Sequence, residues 1–169
     1  MKGKIEMASR EWRKLDEQVR RTIADHQDVI PVRLSSLAQA LGIRVKGATL
    51  PPGISGELRP SDMGFVIKVN RHDPSKRQRF TVAHEIAHFL LHREEIGQGI
   101  SDDVLYRSDL SDRREQEANR LAADILMPDA KVEEQAEDAR EMGVGDLALD
   151  LADRFNVSEG AMRIKLGVA

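Results

Sequence analysis

His84, Glu85 and His88 stand in the order H-E-x-x-H, two imidazoles one helical turn apart with a carboxylate beside the first. On an α-helix, residues i and i+4 share a face, so both rings can reach one metal ion while Glu85 points at whatever that ion binds next. The chemistry this predicts is hydrolysis: a zinc ion polarises a carbonyl and activates a water, lowering its pKa to about 7, and the glutamate takes the proton. Catalytic zinc uses three protein ligands and keeps one position open, so a third donor must come from elsewhere in the chain.

The helix that carries the motif is predicted from Asp73-Pro74, an N-cap residue with proline after it, to about Arg93. Phe80, Ala83, Ala87, Leu90 and Leu91 fill one arc of it, and Val82, Ile86 and Phe89 another. Only the strip Thr81, His84, Glu85, His88 and His92 stays polar. A helix apolar nearly all round is buried, and buried imidazoles need partners, which a metal and a cleft supply. His92 fails as the third ligand, because at about 1.5 Å rise per residue it sits roughly 12 Å along the axis from His84; a supporting or capping role suits it better.

A second helix is predicted from Ser111-Asp112 to Met127, stopped by Pro128. Its apolar face is Ala118, Leu121, Ala122, Ile125 and Leu126, and Glu115 projects between Ala122 and Leu126, whereas Glu117 points away. Glu115 is therefore the candidate third ligand, against the plainer role of a capping box with Asp112. Asn119, one turn on, could hold His84 or His88 by its second ring nitrogen. Tyr106 and His72 are candidates for steadying the oxyanion that peptide hydrolysis creates.

These residues carry a resemblance. The string from Phe80 to His92, followed by Glu115-Gln116-Glu117-Ala118-Asn119-Arg120-Leu121-Ala122 and Leu126-Met127-Pro128, resembles the ImmA/IrrE family of bacterial and phage metallopeptidases. The similarity runs from about Leu34 to Pro128, and Leu121 stands where the family often has Phe. Glu115-x-x-Ala118-Asn119 also looks like the ligand helix of thermolysin-type, or gluzincin, enzymes. The resemblance implies a zincin-like fold in which His84, His88 and Glu115 bind zinc and Glu85 is the catalytic base. It further implies a substrate, a helix-turn-helix transcriptional repressor cleaved in a stress, phage or defence response.

The remaining elements must position this site. Trp12, Leu15, Val19 and Ile23 predict an amphipathic opening helix of about four turns. A short helix around Leu34, Leu37, Ala38 and Leu41 is expected to stop at Gly42. Ile43 to Lys46, Ile54 to Leu58 and Phe65 to Val69 read as strands of a small antiparallel three-stranded sheet, with the last as the cleft edge that takes an extended substrate. Residues 94 to 111 read as an acidic loop, and helices follow at 130–141, 146–155 and 158–166. The fold class is α+β, with a peptidase domain over 1–128 and a helical extension over 129–169.

In that extension Leu151-Ala152-Asp153-Arg154-Phe155-Asn156-Val157-Ser158 and Met162 have a helix-turn-helix-like pattern, which raises a DNA-binding regulator as the alternative. A toxin component is another. Charge disfavours DNA: residues 141–169 hold five acids and three bases, and the whole chain carries −3. Arg71, Lys76, Arg77 and Arg79 gather at the start of the motif helix, where a nucleic-acid activator or an acidic substrate segment could dock. The 169 residues contain no cysteine, no apolar run long enough for a membrane, and no apolar stretch behind the early lysines that would make a secretory signal. A cytoplasmic protein is expected.

Overall fold

The computed structural model describes residues 8–96, 100–101 and 109–168. Its elements in chain order are α1 (Arg10–Lys14), α2 (Glu17–Asp25), α3 (Leu34–Ala40), β1 (Ile43–Ala48), β2 (Gly56–Ser61), β3 (Gly64–Asn70), α4 (Ser75–His92), β4 (Ile100–Ser101), α5 (Asp109–Leu126), α6 (Asp129–Glu141), α7 (Leu147–Phe155) and α8 (Glu159–Lys165). The α+β class is as expected, and so is the order of elements except that the opening helix is divided and β4 and the start of α5 fall within the stretch 94–111 read as a loop. Most of the predicted acidic loop, Tyr106 included, lies outside the described residues.

The sheet differs from the expected antiparallel one. It is mixed, in the order β1-β3-β2-β4. The tight connection at Asp62-Met63 makes β2 and β3 antiparallel, with Gly56 opposite Val69 and Ser61 opposite Gly64. β1 runs parallel to β3 on the other side, from Ile43 opposite Phe65 to Ala48 opposite Asn70. The chain between β1 and β2 crosses the end of β3, where Asn70 donates from its backbone to the Ser55 carbonyl and from its side chain to that of Ile54. Alternation of apolar and polar residues fixes the face each side chain takes, not the neighbour beside it. As a central strand, β3 offers no free edge and is not the cleft edge expected; the outer strands are β1 and the two-residue β4, which pairs with β2 at Glu57 and Leu58.

The opening amphipathic stretch is two helices rather than one. Leu15 turns extended and buried, and the Asp16 carboxylate accepts the Gln18 N–H as a new N-cap. A short acceptor able to satisfy an orphan donor competes with helix continuation, which hydrophobic periodicity alone does not register. At α4 the cap position falls on Pro74 instead of Asp73, whose carboxylate pairs with Arg77 at 3.6 Å.

One apolar core joins all of these. Ala83, Ile86 and Ala87 of α4 pack on Ala118, Leu121, Ala122 and Ile125 of α5, all fully buried. Small residues on both helices let the backbones approach closely. Val132, Ala136, Leu151, Phe155 and Met162 of α6–α8 extend the same core. Polar contacts tie α1 to α5: Arg120 donates to both oxygens of the buried Glu11 at 3.0 and 2.7 Å. That bond, set against the cost of burial, pulls the Glu11 carboxyl down to about 2. Gln27 donates to the carbonyls of Asp124 and Ile125, two of the acceptors that the end of α5 leaves without helical donors.

Candidate metal centre

α4 buries its polar strip as its pattern requires: Thr81, His84, Glu85, His88 and His92 are all 5% exposed or less. The His84 and His88 rings lie 4.6 Å apart, edge to face. Glu115, delivered by α5, brings Oε2 to 3.0 Å from His84 Nε2 and Oε1 to 2.9 Å from His88 Nε2. One ligand atom from each of the three residues lies within 4.8 Å of the others. A tetrahedral ion with bonds of about 2.0–2.2 Å sets its donors about 3.3–3.5 Å apart, so each histidine needs to part from Glu115 by only a few tenths of an ångström to admit one. Two imidazoles and a carboxylate with a fourth side open to a cavity is a donor set that fits zinc. Because α5 begins at Asp109, Asp112 sits inside the helix and the capping-box role for Glu115 falls away.

The outer partners of the histidines fix which nitrogen faces the centre. His84 Nδ1 donates to the Asn119 amide oxygen at 2.8 Å, which leaves the Nε2 lone pair directed at Glu115. His88 Nδ1 meets His92 Nδ1 at 2.9 Å, and His92 Nε2 lies 3.4 Å from a Glu117 carboxylate oxygen. A carboxylate only accepts, so Glu117 puts the His92 proton on Nε2, His92 Nδ1 accepts from His88, and the His88 Nε2 lone pair also faces inward. Burial and the neighbouring His88 push the His92 imidazole below its usual range, against the pull of Glu117. At Glu115 burial opposes ionisation, but when the His84 and His88 imidazoles also carry a proton on Nε2 the bonds they donate prevail and hold the carboxyl well below its usual range; an ion would take the place of those two protons. Both Asn119 and His92 thus sit where a supporting residue should. Glu117 was missed: it points away from the centre, as projected, yet reaches it through His92.

Glu85 is fully buried beneath the first residue of β2. A Cβ built on Gly56 would stand 2.4 Å from Thr81 Cγ2 and 3.3 Å from Glu85 Oε1. This close approach of strand to helix has no signal in the local sequence. Gly56→Ala is expected to cost about 1–3 kcal/mol through overpacking and to slow turnover by shifting Glu85. Thermal unfolding and rate are the measurements, and adding Thr81→Ser, which deletes the clashing methyl, should recover most of the stability. A Gly56→Ala protein as stable and active as the parent would refute the contact.

A cavity of about 660 Å³ opens onto His84 and Glu115, walled by Gly53 and Ser55 on one side and by Val157, Ser158 and Ala161 on the other. Its outer end carries Lys76, which pairs with Asp153 at 2.8 Å, and Arg77, which donates to Ser55 Oγ at 3.1 Å. Arg71 donates on the surface to the Gly47 carbonyl, and the half-buried Arg79 to that of Val32. His72 is not brought to the centre; its Nε2 bonds the Thr49 hydroxyl at 3.1 Å on the turn after β3, and it is not among the cavity residues.

The family model described as Peptidase_M78, IrrE N-terminal-like domain, matches residues 38–167. No curated protein sequence matches the chain. Among solved structures, a Mycobacterium tuberculosis transcriptional regulator is similar with a TM-score of 0.59 at 18% identity, over 95% of this chain and 48% of its own. That likeness is one of fold, and the chain spans about half the length of that protein.

Proposed function

This chain belongs to the Peptidase_M78 family of IrrE N-terminal-like domains, and from that premise we propose that it is a zinc-dependent endopeptidase acting in the cytoplasm on a helix-turn-helix transcriptional repressor. The observation that carries the reading is the convergence of His84 Nε2, His88 Nε2 and the Glu115 carboxylate on one point. Bound there, the ion would supply Lewis acidity toward the scissile carbonyl and its attacking water. The protein's own residues do the rest. Asn119 and His92 orient the two ligand rings, and the cleft between Ser55 and Ala161 admits the substrate chain. Glu85 takes the proton as water adds to the carbonyl carbon, then returns it to the amide nitrogen as the C–N bond breaks.

Residues 1–128 would carry this chemistry, and 129–169 would serve as a helical extension packed against them. The regulator reading is weaker, because the three bases of residues 141–169 face carboxylates: Arg154 pairs with Asp138 and Asp150, Arg163 with Glu159, and Lys165 with Asp129. The repressor as substrate is supported by the family resemblance, and expected in the same stress or phage setting. An acidic substrate segment is favoured over a nucleic-acid activator at Lys76 and Arg77, since both line the cavity while Arg71 and Arg79 do not. Co-incubating the zinc-loaded protein with the helix-turn-helix protein encoded beside it should yield one discrete cut. A repressor left intact by a preparation that cuts other polypeptides would overturn this choice of substrate.

A further inference from the structure

We infer that α8 is a wall of the substrate cleft, and that the groove between α5 and α8 is a subsite for an extended polypeptide segment bearing an apolar side chain next to a carboxylate. The inference rests on the peptidase reading above and goes beyond it by assigning what flanks the cut. A second cavity, of about 990 Å³, runs from Asn119, beside the metal centre, to α1. It shares Phe80, Asn119, Met127, Ser158 and Ala161 with the cavity on His84 and Glu115. Asn119 is itself the His84 partner, so the groove starts beside the reacting centre rather than on a remote surface.

Its shape suits an extended chain. From Ser158 to Lys165 the α8 wall is about 10 Å long at 1.5 Å per residue, the span of about three residues of extended polypeptide. Depth comes from small residues facing one another, Ala123 of α5 and Gly160 and Ala161 of α8. The lining is apolar where a side chain would rest: Phe80, Met127 and Ile164, the last 69% exposed. An isoleucine so open, continuous with a catalytic cleft, suits a ligand's side chain.

Charge at the groove selects the flanking residue. Its own carboxylates are engaged internally, Glu11 by Arg120 and Arg10, and Asp124 by the backbone and hydroxyl of Ser9. Arg10, which pairs with Glu11, and Arg13 stand exposed at the α1 end of the groove, and Lys76 and Arg77 line the adjoining cavity on His84. The groove is therefore basic at its α1 end in a chain of net charge −3, and a carboxylate beside the apolar anchor complements it. The exposed Lys76–Asp153 pair at the mouth is of the kind that contributes little, so a substrate carboxylate can exchange for Asp153.

The test uses the full-length, zinc-loaded protein on a library of peptides of mixed sequence, with the products read by mass spectrometry. An apolar residue within about three positions of the cut, on one side only and with Asp or Glu next to it, is the expected enrichment. Gly160→Trp puts an indole at the groove without backbone strain, because a Cβ at Gly160 meets nothing within 4 Å and its backbone is not left-handed. In that variant the ratio of kcat/KM for enriched peptides to kcat/KM for peptides ending before the groove should fall at least about tenfold, chiefly through KM, with zinc content as in the parent. Ile164→Asp should erase the apolar preference. A flat profile, an unaltered profile in both variants, or a Gly160→Trp effect confined to self-association would overturn the subsite while leaving the peptidase standing. Absence of any cut by the parent protein would overturn the peptidase reading itself, and the subsite with it.

Discussion

Glu85→Gln is expected to lower peptide cleavage by about 10²–10⁴-fold, the usual contribution of a positioned general base, while zinc content stays at that of the parent. Glutamine keeps the size and shape of the side chain beneath Gly56 and loses only the ability to take a proton. Because Glu85 is fully buried, exchanging a carboxylate for a neutral amide also spares the protein a buried charge, so thermal stability should hold or rise. A purely structural Glu85 would give the opposite pattern, a lower Tm with little change in rate. The expected loss corresponds to about 3–5 kcal/mol of transition-state stabilisation, far beyond what a packing adjustment of one atom supplies. Cleavage that persists at the parent rate with zinc still bound would remove Glu85 from the mechanism.

The candidate site was unusually open to reading because burial and chemistry coincide on α4. An 18-residue helix that is apolar on nearly every side leaves its histidines nowhere to be solvated, and the sequence alone shows that conflict. Glu115 was legible for a related reason: a carboxylate on the alanine-lined face of α5 is misplaced unless something receives it. Helix positions followed from caps and stops, as at Gly42, whose φ of +80° is the left-handed stop expected after α3. The features that escaped are tertiary. Gly56 lies against Thr81 only because β2 crosses α4, and no local pattern encodes that crossing. The parallel pairing of β1 with β3 and the arrival of α8 at the cleft likewise depend on which elements meet. Glu117 reaches the centre through His92, a contact that exists only once α4 and α5 are packed.

The two glutamates of α5 separate a ligand from a supporting residue. Glu115→Ala should weaken zinc binding by more than about 100-fold, since loss of a supporting hydrogen-bond partner alone typically costs about 10–100-fold and here a donor atom itself is removed. Glu117→Ala deletes only the far end of the Glu117–His92–His88 chain. His92 keeps its bond to His88, so the effect should stay within about 10–100-fold or below it. Metal content after dialysis against a chelator is the direct measurement. Thermal unfolding gives a second one: an ion that binds only the folded chain stabilises it by about 4 kcal/mol when present at a thousand times its Kd, so added zinc should raise the Tm of the parent most, that of Glu117→Ala less, and that of Glu115→Ala least. The metal-free Glu115→Ala protein should also remain folded, because the 36% exposure of the Glu115 side chain means its removal opens no closed cavity in the α4–α5 core. Equal zinc in the two variants would take Glu115 out of the ligand set, and with it the three-donor centre on which the peptidase assignment stands.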